Sequence, residues 1–150
     1  MTSQPDGSES IVREVFTREV PEIASGVVEI RAIARVPGVR TKVAVTSNAV
    51  DVDEVRVCVG RNASRIQRIV SVLGGEPIDI LPWPDVLERR IKLAVAPLNV
   101  VAMELNHEEQ HARLLVARGT AFDNSADEVT RELASRLTGW RIDFLQGPET

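Results

Sequence analysis

The sequence predicts an α+β fold of two similar units, each a three-stranded sheet packed on helices in the order α-β-β-α-α-β. The first observation is a hairpin pattern, in which apolar and polar residues alternate on both sides of Pro37-Gly38. The second is an internal repeat. Positions 73–80 (LGGEPIDI) and 137–144 (LTGWRIDF) both end a helix at glycine and enter a strand that carries Ile-Asp. The chain is therefore expected to use one plan twice.

The first unit begins with a short helix and continues into the hairpin. Apolar residues at 11, 12, 15 and 16 have helical spacing, and Pro21 is expected to end that helix. Positions 26–35 and 41–45 predict two antiparallel strands. A short helix is predicted over 51–59, and a second helix runs from Ala63 to Gly74-Gly75. A third strand over 76–81 completes the unit.

The second unit repeats these elements after a boundary at Pro82 to Pro84. Positions 87–95 predict a helix closed by Pro97, and positions 99–105 and 111–117 predict two strands joined by a polar turn. Two helices are expected next, the last ending at Gly139, and then a strand over 140–144. The predicted division is a flexible N-terminus over residues 1–10, a first domain over 11–82 and a second over 83–147.

Composition argues against several classes of protein. A chain of 150 residues with a net charge of −4 does not suit a nonspecific polyanion binder, so contact with nucleic acid has to come from a local basic patch. The single cysteine, Cys58, cannot form an internal disulfide. Neither a signal peptide nor an apolar stretch long enough to span a membrane is apparent. We expect a soluble cytoplasmic protein with no membrane partner.

The strongest functional pattern lies between Val57 and Val70. An apolar run breaks at Gly60 and resumes as an amphipathic helix from Ala63. The first N–H groups of such a helix carry partial positive charge and can bind a phosphate. The arginines around them are Arg61, Arg65 and Arg68. The alternative interpretation is an ordinary short helix whose basic face is solvated.

Segments spread along the chain carry a family resemblance. They are 19–23 (EVPEI), 26–30 (GVVEI), 32–35 (AIAR), 37–45 (PGVRTKVAV), 58–60 (CVG), 64–67 (SRIQ) and 75–80 (GEPIDI). In this order they resemble the first KH domain of bacterial NusA. The closing stretch at 133–143 (LASRLTGWRID) resembles the end of the second KH domain of the same protein.

The resemblance covers residues 11–145 and implies two tandem type II KH domains. It implies a NusA-like RNA-binding protein that modulates transcription elongation, termination or antitermination through single-stranded RNA, with RNA polymerase or other transcription factors as further partners. It implies no enzymatic activity, metal or cofactor. The chain is too short to include the polymerase-binding N-terminal domain and the S1 domain of full-length NusA, so we expect a stand-alone KH pair.

The resemblance also assigns the RNA contacts, with one departure in each unit. A KH domain holds the nucleotide backbone against a Gly-x-x-Gly loop, where a side chain would occupy the space of the phosphate. The loop here ends at Ala63 instead of glycine, which is acceptable if that position has helical φ. In the second unit the aligned positions 125–128 (SADE) contain no glycine and add negative charge. The residues expected to contact RNA are Gly60, Arg61, Asn62, Ala63, Ser64, Arg65, Ile66 and Arg68.

In that scheme the loop amides lie on the RNA backbone, Arg65 and Arg68 supply charge, and Ile66 offers an apolar wall to a base. The second unit is expected to have a structural or partner-binding role. The competing hypothesis for the whole chain is a protein-interaction module that has kept the KH fold but lost RNA binding.

A further motif is His-Glu-x-x-His at positions 107–111. On a helix this spacing would place two imidazoles on one face to bind zinc, with Glu108 as a general base. The internal repeat places it in a hairpin turn instead, so we do not expect a zinc hydrolase. Cys58 is expected to be a buried small residue and not a nucleophile.

Overall fold

The computed structural model describes residues 8–117 and 124–146 of the chain. The chain forms two compact units, one ending at Pro84 and the other beginning at Asp85. Residues 1–7 of the predicted flexible terminus lie outside the described residues, whereas residues 8–10 belong to the first helix. Each unit is described below by itself.

The N-terminal unit consists of a three-stranded sheet and short helices. Its elements are α1 (Ser8–Glu19), α2 (Pro21–Ala24), β1 (Val28–Val36), β2 (Arg40–Ser47), α3 (Glu54–Val59), α4 (Ser64–Val72) and β3 (Ile78–Pro82). The central strand is β2, which pairs antiparallel with β1 and parallel with β3. The predicted hairpin and third strand are confirmed.

Pro21 ends α1 as predicted, but it also starts a second helix. Proline occupies the first turn of α2, where its missing N–H would have had no partner within the helix. The sequence reading took the proline only as a stop. The short helix α2 matters for the functional site because it carries Glu22.

The core of the N-terminal unit lies between the sheet and the helices. Its buried residues are Val12, Val15, Phe16, Val20, Val28, Val43, Val45, Cys58 and Ile69. The sequence places Ile66, Ile69, Val70 and Leu73 on one apolar helix face. Ile66 and Leu73 are partly buried against this cluster, and Val70 is half-buried. The helical spacing read from the sequence therefore identified the buried face of α4 correctly.

A buried carboxylate connects the hairpin turn to the start of β3. Glu76 is 3% exposed and accepts hydrogen bonds from the Arg35 guanidinium (3.1 Å), the Gly38 backbone N–H (2.8 Å) and the Thr41 hydroxyl. Burial opposes the charge on Glu76, but these hydrogen bonds together outweigh it and lower the pKa of Glu76 below its ordinary value of 4.5. Glu76 is therefore a carboxylate in the folded protein at neutral pH.

The C-terminal unit repeats the strand order. Its elements are α5 (Leu87–Ala94), β4 (Val100–Asn106), β5 (His111–Val116), α6 (Asn124–Thr138) and β6 (Arg141–Gln146). The central β5 pairs antiparallel with β4 and parallel with β6. The sequence predicts two helices between β5 and β6. The described residues there contain α6, and positions 118–123 lie outside them.

Across both units, every described helix is too short or too polar to cross a membrane.

We predict that Glu76→Gln destabilises the fold by about 3 kcal/mol at pH 7, because it removes the buried carboxylate that pairs with the largely buried Arg35. The free energy of urea-induced unfolding measures the effect. Glu29→Gln is the matched control, since Glu29 is exposed on β1. The control is expected to change stability by less than about 0.5 kcal/mol.

The stability difference between wild type and Glu76→Gln is expected to depend on pH. A carboxyl with a lowered folded pKa stabilises the protein fully above its unfolded pKa, and this contribution is lost as the pH falls through the folded value. The stability difference between wild type and Glu76→Gln should shrink as the pH falls below about 4.5. A difference that stays constant from pH 7 to pH 3 would contradict the assigned charge state.

Candidate nucleic-acid interface

The Gly60–Ala63 loop, Gly60-Arg61-Asn62-Ala63, joins the end of α3 to the start of α4. Asp53 begins α3 by accepting hydrogen bonds from the N–H groups of Val55 and Arg56, both at 3.1 Å. The helix ends where the Gly60 N–H donates to the Arg56 carbonyl (2.9 Å), and the Ala63 N–H donates to the Gly60 carbonyl (3.1 Å). The turn predicted at Gly60 is confirmed.

Gly60 is required by both conformation and space. Its φ is +81°, a region that L side chains rarely adopt. A Cβ atom at this position would lie 2.7 Å from Cγ and 2.9 Å from the backbone N of Arg65. A side chain at position 60 would therefore collide with Arg65, so only glycine fits at the entrance to α4.

Ala63 does not have the helical φ that the sequence reading required for an acceptable alanine. Asn62 and Ala63 have φ of 55° and 60°, so both are in the left-handed region. An alanine in this conformation costs roughly 1 to 2 kcal/mol relative to the right-handed one. The last residue of the loop, where the Gly-x-x-Gly motif has its second glycine, is therefore an alanine in a conformation that favours glycine.

Two of the predicted cationic ligands are engaged inside the protein. Arg65 Nη1 donates to Glu22 Oε1 (2.8 Å) and to the Val57 carbonyl (2.7 Å). Arg68 Nη1 lies 3.3 Å from Glu19 Oε1, and the Arg68 side chain is 68% exposed. Arg65 thus connects α2, α3 and α4, a structural role that differs from the supply of charge expected for it.

The exposed cations without a partner among the described residues of the loop region are Arg61 and Arg56. Sequence reasoning singled out Arg61 but missed Arg56. Arg56 stands four residues before Gly60 and its carbonyl accepts the Gly60 N–H, so its Cα lies one helical turn from the loop. The four-residue separation of Arg56 and Gly60 is visible in the sequence and could have indicated that Arg56 lies near the loop.

The remaining predicted contacts lie on the first turn of α4. Ser64 is exposed. The N-cap residue is Ala63, whose methyl side chain cannot accept a hydrogen bond from the first N–H groups of α4. Ile66 is partly buried against the core, so only part of its side chain is available as an apolar wall.

Comparison with known proteins identifies the family of this chain. The family model of the NusA-like first KH domain matches residues 7–83. The chain belongs to the NusA-like KH family. The transcription termination/antitermination protein NusA of Thermus thermophilus is 41% identical over 139 residues, covering 91% of this chain and 35% of that protein. NusA of Mycobacterium tuberculosis is 38% identical over 137 residues, covering 90% of this chain and 40% of that protein.

The NusA-like chain thus spans between 35% and 40% of the length of these two relatives. Among solved structures, the crystal structure of APE1850 matches with a TM-score of 0.62 and 15% identity, covering 91% of this chain and 95% of that chain. At that identity the likeness concerns the fold alone.

In the C-terminal unit of this NusA-like chain, positions 125–128 are not an open loop. They lie within the first turns of α6, which begins at Asn124. Glu128 is exposed and accepts a hydrogen bond from Arg131 Nε (3.0 Å), which lowers the pKa of Glu128. These positions therefore form the start of a helix with a negative charge at Glu128, where the family resemblance implies a Gly-x-x-Gly loop.

The His-Glu-x-x-His motif lies in the turn between β4 and β5 and at the start of β5. His111 Nε2 lies 2.6 Å from Asp143 Oδ2, and Nδ1 lies 3.0 Å from Arg141 Nη2. The His107 ring packs edge-on against Trp140 with centroids 5.2 Å apart. His107 in the turn and His111 at the start of β5 therefore contact different residues. Among the described residues, no three His, Cys, Asp or Glu side chains are grouped as metal ligands.

We predict that Ala63→Gly stabilises the protein by about 0.5 to 1 kcal/mol. Glycine removes the strain of the left-handed backbone, and the greater conformational entropy of glycine in the unfolded chain offsets only part of this gain. Urea-induced unfolding measures the change. Ala24→Gly in α2 is the control, because Ala24 is exposed and helical, and glycine there should be destabilising. Equal losses in both variants would show that Ala63 is not strained.

Cys58 should not react with thiol reagents in the folded protein. It is fully buried in α3, and burial raises the pKa of its thiol to about 12 even though Arg65 lies nearby. A chromogenic disulfide reagent at pH 8 should show no rapid reaction with the folded protein in buffer. In urea, which unfolds the protein, the reagent should detect one reactive thiol per chain. Rapid reaction in buffer would contradict the buried position.

Proposed function

We propose that the N-terminal unit binds single-stranded RNA at the Gly60–Ala63 loop, and that the chain acts in transcription elongation, termination or antitermination. The first support is family membership, together with relatives named transcription termination/antitermination protein NusA. The single observation that carries the proposal is the positive-φ turn at Gly60, a position that excludes a side chain, directly before a helix whose first N–H groups have no side-chain cap. An RNA phosphate can approach such a backbone closely.

The helix that follows the loop supports an anion at this position. The nine-residue α4 starts without a side-chain cap from Ala63, so its first turn presents partial positive charge. Ser64 is exposed at the same place and adds a hydroxyl donor. A phosphate over the loop would complete these hydrogen bonds.

The distribution of charge along α3 favours the loop end for RNA. Arg56 lies in the last turn of α3 and Arg61 in the loop that follows it, and both are exposed. The opposite end borders a pocket lined by Val50, Asp51, Val52, Asp53, Glu54, Val55 and Pro82. Three carboxylates around that pocket repel a phosphate backbone, so a bound strand is directed toward the loop.

For the C-terminal unit we propose a degenerate KH domain over residues 83–147, following a first KH domain over 11–82. The support is the shared strand order, with a central strand antiparallel to one neighbour and parallel to the other. Because α6 occupies the loop position and Glu128 carries charge there, this unit contacts protein partners of the transcription machinery instead of RNA.

The test is a fluorescence anisotropy titration of a labelled pool of short single-stranded RNA at about 50 and 200 mM salt. Arg61→Glu should weaken binding by about tenfold or more and reduce the slope of log affinity against log salt. Arg31→Glu is the matched control, since Arg31 is an exposed arginine of β1 outside the loop. Gly60→Asp is a poor choice, because it would also distort the backbone at φ +81°.

Three results separate the hypotheses. Loss of affinity in Arg61→Glu alone supports the loop as the RNA site. Equal losses in Arg61→Glu and Arg31→Glu would reduce the binding to a general charge effect and overturn the assigned site. Absence of binding by the wild type at about 100 mM salt would favour a KH fold kept for protein contacts.

A further inference from the structure

The carboxylate of Glu19 is shared by two arginines. Its Oε1 lies 3.3 Å from Arg68 Nη1, and its Oε2 lies 3.5 Å from Arg18 Nε. The Glu19 side chain is 13% exposed, whereas Arg68 and Arg18 are 68% and 58% exposed. The carboxylate is thus enclosed between two cations that both extend into solvent.

The position of Glu19 in its helix is electrostatically unfavourable. Glu19 is the last residue of α1, where the partial charge of the helix end is negative. A carboxylate there weakens the helix instead of stabilising it. The contacts with Arg18 and Arg68 are therefore the favourable interactions that the side chain makes at this position.

The two arginines of α4 differ in how easily they can be released. Arg65 cannot leave without stranding both Glu22 and the Val57 carbonyl, and its side chain is 31% exposed. Arg68 makes one long contact with Glu19. If Arg68 leaves, Glu19 keeps Arg18 as a counter-ion, so no buried charge is left uncompensated.

Arg68 lies four residues after Ser64 on α4, so the two residues share a helix face and are about 6 Å apart along the helix axis. We propose that Arg68 is a phosphate ligand restrained by Glu19. RNA at the Gly60–Ala63 loop displaces the carboxylate, and Arg18 retains it. Glu19 therefore competes with RNA for Arg68 and lowers the RNA affinity of the free protein. This inference rests on the proposed RNA site.

The decisive experiment is a double-mutant cycle in RNA affinity, using wild type, Glu19→Gln, Arg68→Gln and the double variant with the same labelled RNA pool. Glu19→Gln should raise affinity about two- to fivefold, the range expected for one exposed ion pair. Arg68→Gln should lower affinity and reduce the salt slope by about 0.7, one single-strand phosphate contact. In the Arg68→Gln background the effect of Glu19→Gln should disappear.

Glu29→Gln is the control for removing one negative charge, because Glu29 is exposed on β1 of the same unit. Thermal unfolding of each variant checks that the fold is retained. A rise in affinity that Glu29→Gln reproduces, or that persists without Arg68, would overturn the competition. If Arg61→Glu abolishes binding while Glu19→Gln changes nothing, the RNA site stands and the role of Glu19 falls. If the wild type binds no RNA, both the proposed function and this inference are wrong.

Discussion

The conformation of the candidate site depends on Arg65 and the glycine beneath it. Arg65 reaches back across Gly60 to the Val57 carbonyl and forward to Glu22, so one guanidinium connects the end of α3, the start of α4 and α2. Its Cβ and Cγ occupy the space where a side chain at position 60 would lie. The need for glycine at position 60 is therefore a direct consequence of the position of Arg65.

Under the proposed function, this arrangement gives the arginines of the region different roles. An arginine that fixes the backbone cannot also follow a flexible RNA strand, because releasing it would leave a carbonyl and a carboxylate without their donor. Charge for the ligand has to come from side chains that are free or weakly held. Arg56 and Arg61 are exposed, and Arg68 is held by a single contact to Glu19. Counting basic residues along the sequence could not separate these roles.

The two units show how one strand order accommodates different interactions. Asp79 and Asp143 occupy matching positions of the repeat, yet Asp79 pairs with Arg40 (2.7 Å) and the buried Lys42 (3.3 Å), while Asp143 pairs with His111 (2.6 Å). Burial lowers the pKa of Lys42, and Asp79 partly restores it. Where the first unit has the buried carboxylate Glu76, the second has Trp140 packed against His107. The repeat preserved the backbone plan and exchanged the side chains that stabilise it.

The sequence by itself determined the order of the strands and of the helices around them in the described residues, except for the short helix α2. Period-two alternation around Pro37-Gly38, helical spacing through Ile66 and Ile69, and glycines at helix ends are local properties, so they specify the hairpins and the buried face of α4. The family could also be read from short segments, because those segments contain the turn glycines and core residues of the fold.

The tertiary structure decided the conformation and the partners of each residue in the candidate site. The left-handed φ of Ala63 follows from how α3 and α4 are joined, and a propensity for alanine does not reveal it. The partners Glu19 and Glu22 are more than forty residues from Arg68 and Arg65 in sequence and meet them only when α1 and α2 lie beside α4. Long-range contacts of this kind have no periodic signature in a single sequence, which is why the elements were predictable and the state of each arginine was not.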